Sequence, residues 1–183
     1  MAKTYDFDDF CQITEMLRKK EGGCPWDREQ THKSIRANFI EETYEALEAI
    51  DTENNTLLCE ELGDVLLQVL LHAQMEAEAG VFDFSDVVDG LAKKLVLRHP
   101  HVFGEAQAGD ANSVLDIWDK IKLSERAQAA QDAATSGEAK GQKPESILAS
   151  VPVSFPALMQ AQKISRKAVA VGFEWDSVAH VWE

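Results

Sequence analysis

The sequence predicts an all-α protein, on three observations. Apolar residues recur every three or four positions through six separate segments, the spacing of one helix face. No run of apolar and polar alternation is long enough to form a strand. Glycine, proline and asparagine gather between the segments, where helix breakers belong.

The first segment, residues 5–20, carries Phe7, Phe10, Ile13 and Leu17 on one face, and EGGCPWDREQT stops it with Gly22, Gly23 and Pro25. Thr31 is the expected cap of a second helix over 31–50, with Ile35, Phe39, Leu47 and Ile50 directed inward. DTENN turns the chain. A third helix over 56–79 is apolar nearly all round after Asp64, which places it at the centre of a bundle, and Gly80 supplies a stop that accepts positive φ. Ser85 or Asp86 caps a fourth, which passes through Val88, Leu91 and Leu95 to Arg98 and ends before Pro100. HPHVFGEAQAGDAN reads as a loop. A fifth helix over 113–131 carries Val114, Ile117, Trp118 and Ile121. Residues 132–145 have the small, polar composition of a flexible linker, and a sixth helix covers 156–169. The expected organisation is a domain over 1–131, a linker over 132–145, and a C-terminal helical extension over 146–183.

Composition bounds the function. At 45% hydrophobic and 27% charged residues, the chain has ordinary globular usage and enough apolar surface for a core. A net charge of −14, from 32 acids against 18 lysines and arginines, repels nucleic acid polymers and anionic membrane surfaces. The longest apolar stretch, Val65 to Ala73, is broken by Gln68 and His72 and is too short to span a bilayer. Cys11, Cys24 and Cys59 are odd in number and lack CxxC spacing, and no leader pattern opens the chain, so free thiols in the cytoplasm are expected.

The acids are concentrated in the second and third helices. Glu42 and Glu45 are one turn apart, as are Glu61 and Asp64, so each pair shares a helix face. The midpoint of 42 and 64 is 53, the midpoint of 45 and 61 is also 53, and Glu53 lies in the turn. In an antiparallel hairpin, residues equidistant from the turn face each other, so four carboxylates meet if both faces point to the seam. Like charges a turn apart cost about 0.2–0.5 kcal/mol even when exposed, and ionised carboxylates in a poorly hydrated seam cost far more. With Arg36 the one arginine close in sequence, a bound hard cation is the favoured neutraliser, and all-oxygen donors suit Mg²⁺ or Mn²⁺. The competing reading, a solvated amphipathic face, fits Glu41, Glu42, Glu45 and Glu48 alone. It fits Glu61 and Asp64 poorly, because Leu58, Leu62, Val65, Leu66 and Val69 leave the third helix little solvated face.

EETYE followed by ELGD resembles the EExxE and ExxD signature of the all-α nucleoside triphosphate pyrophosphohydrolases. CPWDREQTHKSI, RHPHVF, IWDKIK, VPVSFPALMQAQKI and VGFEW resemble MazG family sequence in that order, over roughly residues 5–176. The resemblance implies a helical bundle with a central antiparallel hairpin. It implies hydrolysis of nucleoside triphosphates (NTP or dNTP) to monophosphate and pyrophosphate, with Mg²⁺ as cofactor, in a homodimer or higher homo-oligomer. Carried over by position, Glu42, Glu45, Glu61 and Asp64 are metal ligands and Glu41 handles the attacking water. Lys94, Arg98, Trp118 and Lys122 look like the phosphate and nucleotide contacts. Against this, Lys94 and Arg98 also suit a cationic last helical turn, and Trp118 suits core packing.

One position departs from the pattern. Active members often carry a basic residue where Leu57 stands, which implies weaker phosphate binding. The VGFEWDSVAHVWE ending resembles the entry to a second homologous domain, so a catalytically weak dimerisation or regulatory domain of a longer MazG protein is the alternative function. A di-iron carboxylate bundle fits poorly: the one ExxH is Glu29 to His32, whereas that site needs two. His99 and His101 form an HxH that reads as capping or packing, Trp26 and Asp27 read as a turn, and the sequence suggests no partner for His32, His72 or His180.

Overall fold

The helical spacing is realised in eight helices, and no strand occurs among the described residues. The structure, a computed structural model, describes residues 3–135 and 146–173 with Trp175 and Ser177; within these the side chains of 126, 129, 130 and 132–135 are left aside. By internal contacts the chain divides into two compact units, Met1–Trp118 and Asp119–Glu183.

In the first unit, α1 (Phe7–Arg18) starts at a capping box in which Asp6 and Asp9 bind each other's backbone N–H. Its buried residues are Thr14 and Arg18, while Phe7 and Ile13 remain exposed. A short α2 (Pro25–Glu29) occupies the stretch read as a turn, with Pro25 in its first turn. Gly23 makes the tight entry, where an added Cβ would lie 2.3 Å from the Lys19 carbonyl oxygen. Arg18 closes this corner: Nε and Nη2 donate to both carboxylate oxygens of Glu78 at 2.8 and 2.9 Å, and Nη1 donates to the carbonyls of Asp27 and Gln30.

α3 (Arg36–Asp51) begins five residues later than expected. Thr31 and Ser34 bind each other's backbone N–H and close a separate turn ahead of it. Its inward face also differs from the expected one. Ile35 at its cap, Ala46 and Ala49 are buried, whereas Leu47 and Ile50 are exposed. Small alanines let the helices approach closely, so the larger residues turn outward. α4 (Asn55–Ala79) has the expected span, stopped by Gly80 at φ 72°. It is the central element: α3 packs along it, and α1 and α5 also contact it. The core joins Ile35 to Leu71 and Met75, with Leu67 against them.

α5 (Phe84–Arg98) is capped by Asp83 in a box with Asp86, ahead of the expected Ser85 or Asp86. A short α6 (Pro100–Phe103) forms where a loop was read. α7 (Ala111–Thr135) is capped by Asp110, which accepts from the Ser113 N–H at 2.8 Å, and extends into the stretch read as linker. Residues 136–145 of that linker lie outside the described residues. In the second unit, α8 (Ala157–Val169) follows Pro156 as expected, and Gln160 Nε2 holds the preceding turn through the carbonyls of Val153 and Phe155.

Candidate functional site

The register of the α3–α4 hairpin is set by its turn. Glu53 adopts φ 52°, its N–H bonds to the Ile50 carbonyl at 3.1 Å, and the Asn54 N–H bonds to the Ala49 carbonyl at 2.9 Å. These are the two reversed bonds of a Schellman motif, here with glutamate in the left-handed position that glycine usually fills. Asn54 then caps α4 directly, accepting from the Leu57 N–H at 3.1 Å. With no slack residues between the helices, positions equidistant from 53 are held opposite.

Glu42, Glu45 and Glu61 accordingly converge, each offering a carboxylate oxygen within 4.8 Å of the other two. Burial raises the pKa of Glu42, and after it come the charges of Asp64, Glu45 and Glu61 in that order. Burial likewise raises the pKa of Glu61, which is 8% exposed, followed by the charges of Glu45, Asp64 and Glu60. Asp64, the fourth acid of the expected set, stands outside this convergent triplet and acts on Glu42 and Glu61 through its charge. The charges that most raise these two groups are those of other carboxylates. A half-buried, all-oxygen cluster of one sign fits a hard divalent cation, which needs carboxylate donors and relieves their repulsion.

The other sequence candidates are placed less closely. Glu41 is exposed and stands outside the convergent triplet. On α5, Lys94 is exposed and Arg98 is half-buried in the last turn. The Trp118 ring stands edge-on to His99 at 5.1 Å between centroids. Lys122, in the second unit, lies 3.3 Å from Asp119. His99 Nδ1 approaches the Leu95 carbonyl at 2.6 Å, a capping role, and the HxH gathers no third ligand among the described residues.

His32 and His72, for which the sequence suggested no partner, contact each other, and His32 also meets Glu76. His32 lies in the turn ahead of α3, and His72 and Glu76 are one turn apart on α4. His180 lies outside the described residues.

Residues 30–103 match the family model of the MazG nucleotide pyrophosphohydrolase domain. Over 174 residues the chain is 44% identical to a protein of Escherichia coli strain K12 named nucleoside triphosphate pyrophosphohydrolase, covering 95% of this chain and 61% of that one. Over 177 residues it is 41% identical to the nucleoside triphosphate pyrophosphohydrolase/pyrophosphatase MazG of Thermotoga maritima, covering 97% and 62%. A nucleoside triphosphate pyrophosphohydrolase of Mycobacterium tuberculosis is 37% identical over 162 residues, covering 86% and 44%. The chain therefore spans about three-fifths of the length of the first two relatives.

Proposed function

We propose that the chain is a MazG-family enzyme, given its likeness to the MazG domain model and to relatives named nucleoside triphosphate pyrophosphohydrolase, and that it hydrolyses nucleoside triphosphates to monophosphate and pyrophosphate with Mg²⁺ as cofactor. The observation that carries this is the convergence of Glu42, Glu45 and Glu61, with the pKa values of Glu42 and Glu61 raised by burial and then by the charges of the neighbouring acids, Asp64 among them.

In this reading Glu42, Glu45, Glu61 and Asp64 would hold the ion, which when bound would supply positive charge for phosphate oxygens and lower the pKa of water. The rest of the work falls to the chain. The rigid turn at Glu53 keeps the two acid pairs opposed before substrate arrives, so little reorganisation is needed on binding. Glu41 is assigned to positioning or deprotonating the attacking water. Lys94 and Arg98, one turn apart on α5, are assigned to the triphosphate, and Trp118 and Lys122 to the nucleotide on their sequence alone.

The functional form is proposed to be a homodimer. Ile40, Tyr44 and Leu47 are spaced four and three residues apart on the side of α3 away from α4, and are 50%, 54% and 47% exposed. An apolar stripe of this kind marks an association surface. No helix among the described residues is long and apolar enough to cross a membrane. Cys11, Cys24 and Cys59 are free thiols, which suits the reducing cytoplasm.

Incubation with mixed NTPs and dNTPs in Mg²⁺ tests the reaction. Pyrophosphate and monophosphate in equal amounts are expected. Orthophosphate with nucleoside diphosphate, or no product at all, overturns the assignment.

A further inference from the structure

At the end of the hairpin remote from its turn, three ionisable side chains form a line. His32 Nδ1 lies 2.7 Å from His72 Nδ1, and His32 Nε2 lies 2.8 Å from Glu76 Oε1. The ring planes differ by 5° and the centroids are 5.0 Å apart. That separation is the N···N distance plus two imidazole radii, so the rings lie edge to edge in one plane and are not stacked face to face. This is hydrogen-bond geometry for one proton shared between two nitrogens. A metal is a poor occupant, because Glu76 and His72 meet opposite nitrogens of the same ring and the three donors do not converge.

The proton count follows. With both rings neutral, His32 donates from Nε2 to Glu76 and accepts at Nδ1 from His72. Adding one proton leaves both contacts intact, since a single N–H still lies between the facing Nδ1 atoms. Adding a second proton sets N–H against N–H and breaks the contact between the rings. Burial, and then the charge of His32, already lower the pKa of His72.

The surroundings fix what the contact holds. His32 lies in the Thr31–Ser34 turn, three residues before Ile35, which is 1% exposed, and His72 follows Leu71 in the same core cluster. From α4 the dyad meets Glu76, and from α3 it meets the uncharged Phe39 ring at 5.8 Å. On α1, Arg18 binds the carbonyl of Gln30, two residues before His32, and is paired with Glu78. Lys33 and Arg36 are exposed and make no ion pair with the dyad among the described residues. The Schellman turn therefore fixes one end of the α3–α4 pair, and this chain of three side chains fixes the other.

We propose that His32, His72 and Glu76 are positioning residues, a proton-holding clamp that sets the spacing of the acid hairpin and releases when both imidazoles are protonated. The link to metal binding rests on the proposed function, whereas the clamp itself does not.

Two measurements on the full chain separate these parts. Imidazole NMR titration of the wild type is expected to show two coupled steps, with His72→Phe leaving His32 a single simple step. Independent titration of the two rings, unchanged when either is replaced, overturns the clamp. Mn²⁺ affinity is then followed by paramagnetic resonance from mildly alkaline to acidic buffer. The wild type is expected to lose about fivefold more affinity than His72→Phe, the lower end of usual coupling between sites. Equal losses overturn the positioning role. If pyrophosphate assays fail while this difference persists, the catalytic reading falls and the clamp stands.

Discussion

Replacing Glu42 by glutamine removes one charge from the cluster while keeping its shape, and the reasoning predicts opposite effects with and without metal. The pKa values of Glu42 and Glu61 are raised in the fold, so the folded state holds these protons more tightly than the unfolded chain does. Their contribution to stability is present below the unfolded value of 4.5 and is lost as pH rises through the raised folded values. In mildly alkaline buffer with chelator, the wild type therefore carries unrelieved repulsion, and Glu42→Gln should melt higher. A divalent ion at about 100 times its dissociation constant stabilises the wild type by about 2.7 kcal/mol. At roughly 2–4 °C per kcal/mol for a chain of this size, that is a rise of roughly 5–11 °C. If loss of one ligand weakens binding about 100-fold, the same ion concentration gives the variant only about 0.4 kcal/mol, a rise of roughly 1–2 °C. Thermal unfolding by circular dichroism, with and without Mg²⁺, reads both effects. An unchanged metal-induced rise in Glu42→Gln, or a chelated variant that melts lower than wild type, refutes the reasoning.

Three further outcomes are expected. Arg18→Met removes a buried guanidinium that holds Glu78 and two carbonyls; because Glu78 is partly solvated, the loss should be about 2–3 kcal/mol in urea unfolding, and a loss under about 1 kcal/mol contradicts the bracing role. Glu53→Gly relieves a left-handed backbone position and should stabilise by about 0.5–1 kcal/mol, the relief exceeding the entropy glycine adds to the unfolded chain; destabilisation would falsify the turn geometry. The double change Ile40→Lys with Leu47→Lys places charge in the open stripe of α3 and should yield monomers by light scattering, whereas a wild-type mass removes that stripe from the interface.

The long helices and the acid hairpin were legible because they depend on periodicity and on a turn whose centre can be counted. Gly80 marked the end of α4 correctly, and the turn centred on Glu53 brings Glu42, Glu45 and Glu61 together, with Asp64 outside that triplet. The short helices α2 and α6 were not legible, since five and four residues carry no periodic signal and their prolines read equally as breakers. The inward face of α3 was misjudged at Leu47 and Ile50, because hydrophobicity ranks them above Ala46 and Ala49, the residues that are buried. Asp83 was passed over as a cap because Ser85 and Asp86 follow it closely, and the reciprocal Asp83–Asp86 bond shows only in three dimensions. Arg18 was missed since its partner lies 60 residues away.

Binding of Mn²⁺ by the wild type and by Glu42→Gln, Glu61→Gln and Asp64→Asn, counted by paramagnetic resonance without nucleotide, tests the cation-holding hairpin most directly. The expected result is stoichiometric binding by the wild type and weakening by about tenfold or more in each variant. Equal binding by all four proteins would show that these carboxylates do not hold the ion.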